Sequence, residues 1–182
     1  MKYICVFCSA QDLEEKYVQA AAEFSTLLAK HGYGLVWGGS NTGLMKVVAD
    51  AVQNSSGKLL GVSVEVLKDV ARENADEMII TENLGERKRV MREKADGFVT
   101  LIGGTGTLDE LSEIIEEKKL GFHSKPIVIL NTDHFYDGLM NQYKRMNDEG
   151  FLSQPMEALF AVIDTPEKAI QYLDDTFLPA TT

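Results

Sequence analysis

Phe98-Val99-Thr100-Leu101-Ile102 runs directly into Gly103-Gly104-Thr105-Gly106-Thr107, and from there into Leu108, Leu111, Ile114 and Ile115. A largely apolar run of five, a glycine cluster and then apolar residues at helical spacing read as buried strand, tight turn and helix. Glycines let a backbone come close to a ligand, and the first N–H groups of a helix have no partner inside it. That junction is a ready place for an anion. Asp109 and Glu110 follow within the first turns of the same helix.

The same alternation extends over the whole chain. Short apolar runs at Tyr3–Cys8, Gly34–Trp37, Leu59–Val64, Met78–Ile80, Phe98–Ile102, Ile127–Asn131 and Leu159–Ile163 predict strands. Between them, Leu13–His31, Gly43–Gln53, Leu84–Ala95, Leu108–Leu120, Phe135–Asp148 and Pro166–Phe177 carry helical spacing. Continuous apolar strands separated by helices belong in a parallel sheet covered on both faces. The expectation is an α/β fold: a Rossmann-like, doubly wound parallel sheet with helices on both faces. No linker, repeat or low-complexity stretch divides the 182 residues, so one domain is expected, with a frayed tail at Leu178–Thr182. Ligands of such sheets bind beyond the carboxyl ends of the strands. Three turns there carry suitable chemistry: Cys8-Ser9-Ala10-Gln11, Trp37 to Gly43, and Ile102 to Thr107.

Eighteen basic against 28 acidic side chains give a net charge of −10, which argues against a nucleic-acid partner, since phosphate backbones are bound by basic surfaces. A small anion remains compatible, because local donors can outweigh the global field. No apolar run is long enough to span a membrane, and Met1–Phe7 reads as a first strand rather than a signal peptide; a cytoplasmic location is expected. Cys5 and Cys8 form a C-x-x-C, but three positions apart on a strand they point to opposite faces, so buried, reduced thiols are expected rather than a redox pair. His31, His123 and His134 share no metal-binding spacing, and no metal or cofactor is expected.

The spacings also exclude two phosphate sites. A dinucleotide fingerprint starts at Gly104-x-Gly106 but meets Asp109 where it needs a third glycine, and Gly39-x-x-x-Gly43 fails as well. No P-loop occurs, nor any G-x-S-x-G. Hydride transfer, ATP hydrolysis and serine-hydrolase chemistry have no motif to rest on.

Glu86-Arg87-Lys88-Arg89-Val90-Met91, followed by Gly103-Gly104-Thr105-Gly106-Thr107-Leu108-Asp109-Glu110, resembles the Lonely Guy family of cytokinin riboside 5′-monophosphate phosphoribohydrolases. That family is marked by an E-R-K-x-x-M helix and by P-G-G-x-G-T-x-x-E; Ile102 stands here in place of the proline. The resemblance continues at Gly38-Gly39-Ser40-Asn41-Thr42-Gly43-Leu44-Met45, at Asn131, at Phe135-Tyr136 and at Glu149-Gly150-Phe151. It implies hydrolysis of the N-glycosidic bond of a purine nucleoside 5′-monophosphate, cytokinin riboside or AMP-like, to free base and ribose 5-phosphate. It also implies a homodimer without cofactor, with Arg87 and Glu110 catalytic. Substrate and phosphate contacts would come from Ser9, Gly39, Ser40, Asn41, Thr42, Gly43, Lys88, Gly103, Gly104, Thr105, Gly106 and Thr107. Members also carry a lysine decarboxylase label, but nothing in the chain independently marks a pyridoxal-binding lysine.

Cleaving a ribosyl C–N bond builds positive charge on the sugar, which a carboxylate beside the anomeric carbon stabilises. Glu110 near a helix N-terminus suits that task, and the planar fork of Arg87 suits a carboxylate or a phosphate. Plainer readings stand beside these. Thr107-Leu108-Asp109-Glu110 fits a T-x-x-E capping box, which needs no substrate. Arg87 lies in a charge run that reads as a solvated helix face, and Met45 and Met91 read as core. The alternative function is a nucleotide or phosphosugar binding protein of the same fold without turnover.

Overall fold

Seven short runs rich in branched side chains form strands; the five inner ones find apolar cover on both faces, while the two outermost stay partly exposed. A computed structural model describes residues 1–177, and the Leu178–Thr182 tail lies outside the described residues. The strands are β1 (Tyr3–Phe7), β2 (Gly34–Trp37), β3 (Leu59–Val64), β4 (Glu77–Thr81), β5 (Gly97–Thr100), β6 (Ile127–Leu130) and β7 (Ala161–Ile163). The helices are α1 (Glu15–Lys30), α2 (Gly43–Asn54), α3 (Leu84–Lys94), α4 (Thr105–Lys119), α5 (Asp137–Asp148), α6 (Met156–Leu159) and α7 (Pro166–Phe177). All neighbouring strands pair in parallel, in the order β4-β3-β2-β1-β5-β6-β7. The expected doubly wound α/β sheet is what forms.

Alternation along each strand builds two core layers. Ile4, Val6, Leu35, Trp37 and Val99 face one layer, closed by Phe24 and Leu28 of α1, Val48 of α2 and Leu173 of α7. Cys5, Phe7, Val36, Phe98 and Ile129 face the other, closed by Met91 of α3, Leu111 of α4, Tyr143 of α5 and Leu159 of α6. Each fully buried aliphatic side chain contributes about 1.5–3 kcal/mol. Cys5 and Cys8 lie on opposite layers as free thiols, as the strand geometry requires.

Strand order reverses between β1 and β5, so the crevice that accepts ligands lies between their carboxyl ends. The remaining differences from the expected boundaries are local. Helix α4 starts at Thr105, three residues before the first apolar residue of its periodic run. Met156–Leu159 is a helical turn preceding β7 rather than the start of the strand. Two 3-10 turns, Glu65–Val70 and Thr132–His134, lack any periodic signature.

Candidate active site

The two strand ends at the reversal are stitched together by backbone. The Leu101 N–H donates to the Phe7 carbonyl at 2.9 Å, and the Ser9 N–H donates to the Ile102 carbonyl at 3.0 Å. Gly103 is then pressed against Thr107 so closely that an added Cβ would lie 2.0 Å from the Thr107 Oγ1. Gly104 is the N-cap of α4 and offers no side chain to its first turn. Among the described residues, no protein group accepts from the N–H groups of Thr105, Gly106 or Thr107. At Gly104 and Gly106 an added Cβ would meet open space. The helix therefore opens its positive end into a void.

Helix α3 buries only Arg87 and Met91, one turn apart on one face. Where an amphipathic helix would place its first core residue, this one places a guanidinium. Arg87 is 8% exposed; its Nε–H donates to the Val62 carbonyl at 2.9 Å and its Nη1 to Glu110 Oε1 at 2.7 Å. Gly38 makes room for it: a Cβ there would stand 2.3 Å from the Arg87 Nη2. Glu110 is 7% exposed and in phase with the buried Thr107, Leu111 and Ile114.

These placements overturn the two plain readings. With α4 starting at Thr105, Glu110 lies in its second turn, too far in to serve a capping box, and its carboxylate engages Arg87 instead. The charge run is solvated except at Arg87, while Arg89 pairs with Glu93 on the exposed side. Removing one member of such a buried pair leaves the other uncompensated, at a cost of about 3–5 kcal/mol. Burial pushes the Glu110 carboxyl above its ordinary value, and the Arg87 charge and hydrogen bond pull it back only in part. Arg87 takes Oε1 alone, so Oε2 has no protein hydrogen-bond partner among the described residues.

A cavity of about 360 Å³ joins these groups, within the range of about 300–1,000 Å³ typical of small-molecule sites. Ser9, Gly104, Thr105, Gly106 and Thr107 line it together with Arg87 and Glu110. Met45, expected in the core, packs on the core and also lines the cavity, whereas Met91 is core as expected. Leu67, on the 3-10 turn after β3, lines it too; its segment has no periodic pattern, and only its position beyond a strand end could have marked it.

The second glycine turn is placed differently. Gly39 and Gly43 take left-handed backbones, φ +76° and +52°, and a Cβ at Gly43 would strike the Ala10 carbonyl group. Carbonyls of the first turn fill the start of α2: Leu44 N–H donates to Gln11 and Met45 N–H to Ser9. Ser40 and Thr42 join their hydroxyls at 2.8 Å, and Asn41 accepts from Arg72. Gly39, Ser40, Asn41, Thr42 and Gly43 are thus not among the residues that line this cavity. Asn41 and Thr42 instead border a neighbouring cavity of about 560 Å³ whose charged lining groups are Asp69 and Glu73, which is poor surroundings for an anion. Lys88 is not brought in either, because its ammonium bridges Asp109 at 2.9 Å and Glu113 on the outer side of α4. Gly103 is behind the turn, packed on Thr107.

A family model described as possible lysine decarboxylase matches residues 45–173. A cytokinin riboside 5′-monophosphate phosphoribohydrolase from Mycobacterium marinum is 35% identical over 170 residues, covering 92% of this chain and 91% of that one. A protein of the same name from Arabidopsis thaliana is 35% identical over 176 residues, 95% of this chain and 77% of that one. Among solved structures, the molybdenum cofactor binding protein of Rippkaea orientalis superposes with a TM-score of 0.77, covering 97% of this chain and 98% of that one. At 20% identity, that likeness speaks for the fold alone.

Proposed function

The chain belongs to the Lonely Guy family, and from that premise we propose that it is an N-glycosyl hydrolase that releases the base from a purine nucleoside 5′-monophosphate, of the cytokinin riboside or AMP type. The observation that carries this reading is the buried Arg87–Glu110 pair facing the open start of α4 across one cavity. The phosphate sits on the N–H groups of Thr105, Gly106 and Thr107 and the Ser9 hydroxyl. Glu110 lies beside the anomeric carbon, where its anionic Oε2 stabilises the oxocarbenium-like charge. The C1′–N bond breaks with its electron pair going to the base, which takes up a proton as it leaves. Water adds to C1′ and gives a proton to Glu110, which returns it to solvent. Arg87 holds the carboxylate in place. A carrier of nucleotides or phosphosugars has no need of that pair.

Glu110 must be ionised to act. Since burial raises its pKa, kcat/KM falls on the acid side at a pH above the ordinary carboxylate range. The test is incubation of the purified protein with a panel of nucleoside 5′-monophosphates while free base and ribose 5-phosphate are quantified. Base release is expected from wild type, and a loss of at least about a thousandfold from Glu110→Gln. That variant keeps the side-chain volume and is compared at a temperature where circular dichroism shows it folded. Binding of the nucleotides with no base released would leave a carrier.

We also propose that the chain forms a homodimer. Leu120, Phe122 and Phe151 are exposed large apolar side chains of the kind such an interface buries. Sedimentation at micromolar concentration checks it. Among the described residues no helix is long and apolar enough to cross a membrane. A cytoplasmic location is proposed, where two free cysteines would stay reduced.

A further inference from the structure

The turn after β6 carries an unusual conformation that nothing so far explains. Asp133 and His134 are consecutive non-glycine residues with left-handed backbones, φ 53° and 60°. Such backbones persist only where their surroundings hold them. Here Lys16 of α1 pairs with Asp133, Tyr17 meets the Phe135 ring edge-on at 5.9 Å, and the Asn131 N–H donates to the Ile163 carbonyl. The side chain of Asn131, 5% exposed, accepts from the Tyr136 N–H at 2.7 Å and donates to Asp137 at 2.8 Å. The Asn131 side chain fixes the Tyr136 backbone directly, and the other contacts hold the turn that leads into it.

Tyr136 is 2% exposed, and its hydroxyl donates to the Leu101 carbonyl at 2.8 Å. The next carbonyl, Ile102, accepts from Ser9 of the other strand end. The glycine turn is therefore held at two successive carbonyls from two directions, immediately before it becomes α4. In this chain the turn contains Ile102 and lacks the fixed φ that a proline ring would give it.

We propose that Tyr136 is a positioning residue for substrate binding: its hydroxyl, delivered by the strained Asn131 turn, holds the Leu101–Gly104 backbone so that the first N–H groups of α4 point into the cavity. Burial pushes the phenol well above its ordinary range, with the Gly103 backbone a smaller opposing influence, so the hydroxyl stays a donor at every working pH. The proposal rests on the phosphoribohydrolase reading for the identity of the anion. Tyr136 itself touches no reacting atom.

The experiment is calorimetric titration of ribose 5-phosphate into wild type, Tyr136→Phe and Tyr143→Phe, with kcat and KM measured in parallel. Tyr143 is the control, a second buried tyrosine, packed on Phe160 and reaching α4 at Ser112 rather than at its glycine turn. Both variants keep the ring and hence the fold. Tyr136→Phe is expected to weaken ribose 5-phosphate about tenfold and to raise KM in step, with kcat changed less than about threefold, as loss of one well-placed hydrogen bond allows. Tyr143→Phe is expected to leave both unchanged. Unaltered affinity in Tyr136→Phe, or equal weakening in Tyr143→Phe, overturns the positioning role, since general packing would then suffice. A wild type that releases base yet ignores ribose 5-phosphate overturns it too. A wild type that does neither removes the function first and the proposal with it.

Discussion

Helix α3 begins with Asn83 turning its side-chain oxygen onto the Glu86 N–H at 2.9 Å, while Glu86 reaches back to the Glu82 N–H at 3.1 Å. Helix α4 begins beside it with Gly104, which has nothing to turn. The first is a closed N-terminus of capping-box type, and the second leaves its donors unclaimed. Helix α2, the third start on this edge, is closed in another way, by the carbonyls of Ser9 and Gln11. A glycine-rich start is therefore not in itself an anion site. What matters is whether the protein has already supplied the acceptors.

The difference also assigns the division of labour. A closed helix start can carry a fixed side chain, and α3 delivers Arg87 to Glu110 from its first turns. On the proposed function, the open start is the one that receives the phosphate. Arg87→Ala removes the rigid member and has the largest expected effect: kcat/KM falls at least about a thousandfold and stability by about 3–5 kcal/mol in urea unfolding. Arg89→Ala, on the exposed side of the same helix, stays within about 0.5 kcal/mol and keeps its turnover. Comparable losses in both variants would erase the distinction between the buried position and the surface run.

Closing α4 is the direct challenge to the comparison. Gly104→Asp places a carboxylate at the N-cap, where an added side chain meets open space. Stability is expected to rise by a few tenths of a kcal/mol while kcat/KM falls about a hundredfold, because the new acceptor takes the donors meant for phosphate. A variant that is both capped and fully active would show that the open start has no part in binding. Opening α3 gives the converse: Asn83→Ala costs about 1 kcal/mol and alters turnover less than about threefold.

The smallest expected effect is at the far end of α4. There the His123 Nδ1 accepts from the Lys125 N–H while its Nε2 contacts the Ile114 carbonyl, so the neutral ring completes both hydrogen bonds. Burial lowers its pKa, ahead of the opposing Ile114 hydrogen bond. A depressed folded pKa gives stability that is present above the unfolded value and lost as the pH falls through the folded one. Tm should therefore decline as the pH is lowered from about 7.5 to about 5.5, near the ordinary histidine range, and His123→Asn should flatten that slope. An unchanged slope in the variant would exonerate His123.

The strands were legible because a strand covered on both faces needs apolar residues throughout, and runs such as Ile127–Leu130 have no other use. The start of α4 was not, because periodicity begins only with Leu108 whereas the helix begins in Thr105-Gly106-Thr107, residues with no apolar signal. That three-residue error created the capping box that the structure removes. A finer reading was available, for Glu110 keeps step with Leu111 and Ile114 on the buried stripe. By contrast, the blocking of α2 by Ser9 and Gln11 joins segments some thirty residues apart through backbone atoms, which no side-chain pattern records. The same holds for Lys88, whose partners belong to another helix.

Cys5 and Cys8 lie under different helical layers, and burial pushes both thiols well above their ordinary range. Cys5 reacts only when the layer above it lifts, and Cys8 only when its layer or the cavity beside it opens, so each alkylation rate measures a local opening. Cys5 in β1 and Cys8 just beyond its end thus form a built-in pair of clocks, one for each side of the sheet. Cys8 also borders the cavity, so an occupying ligand slows its clock while that of Cys5 keeps time with the opposite layer.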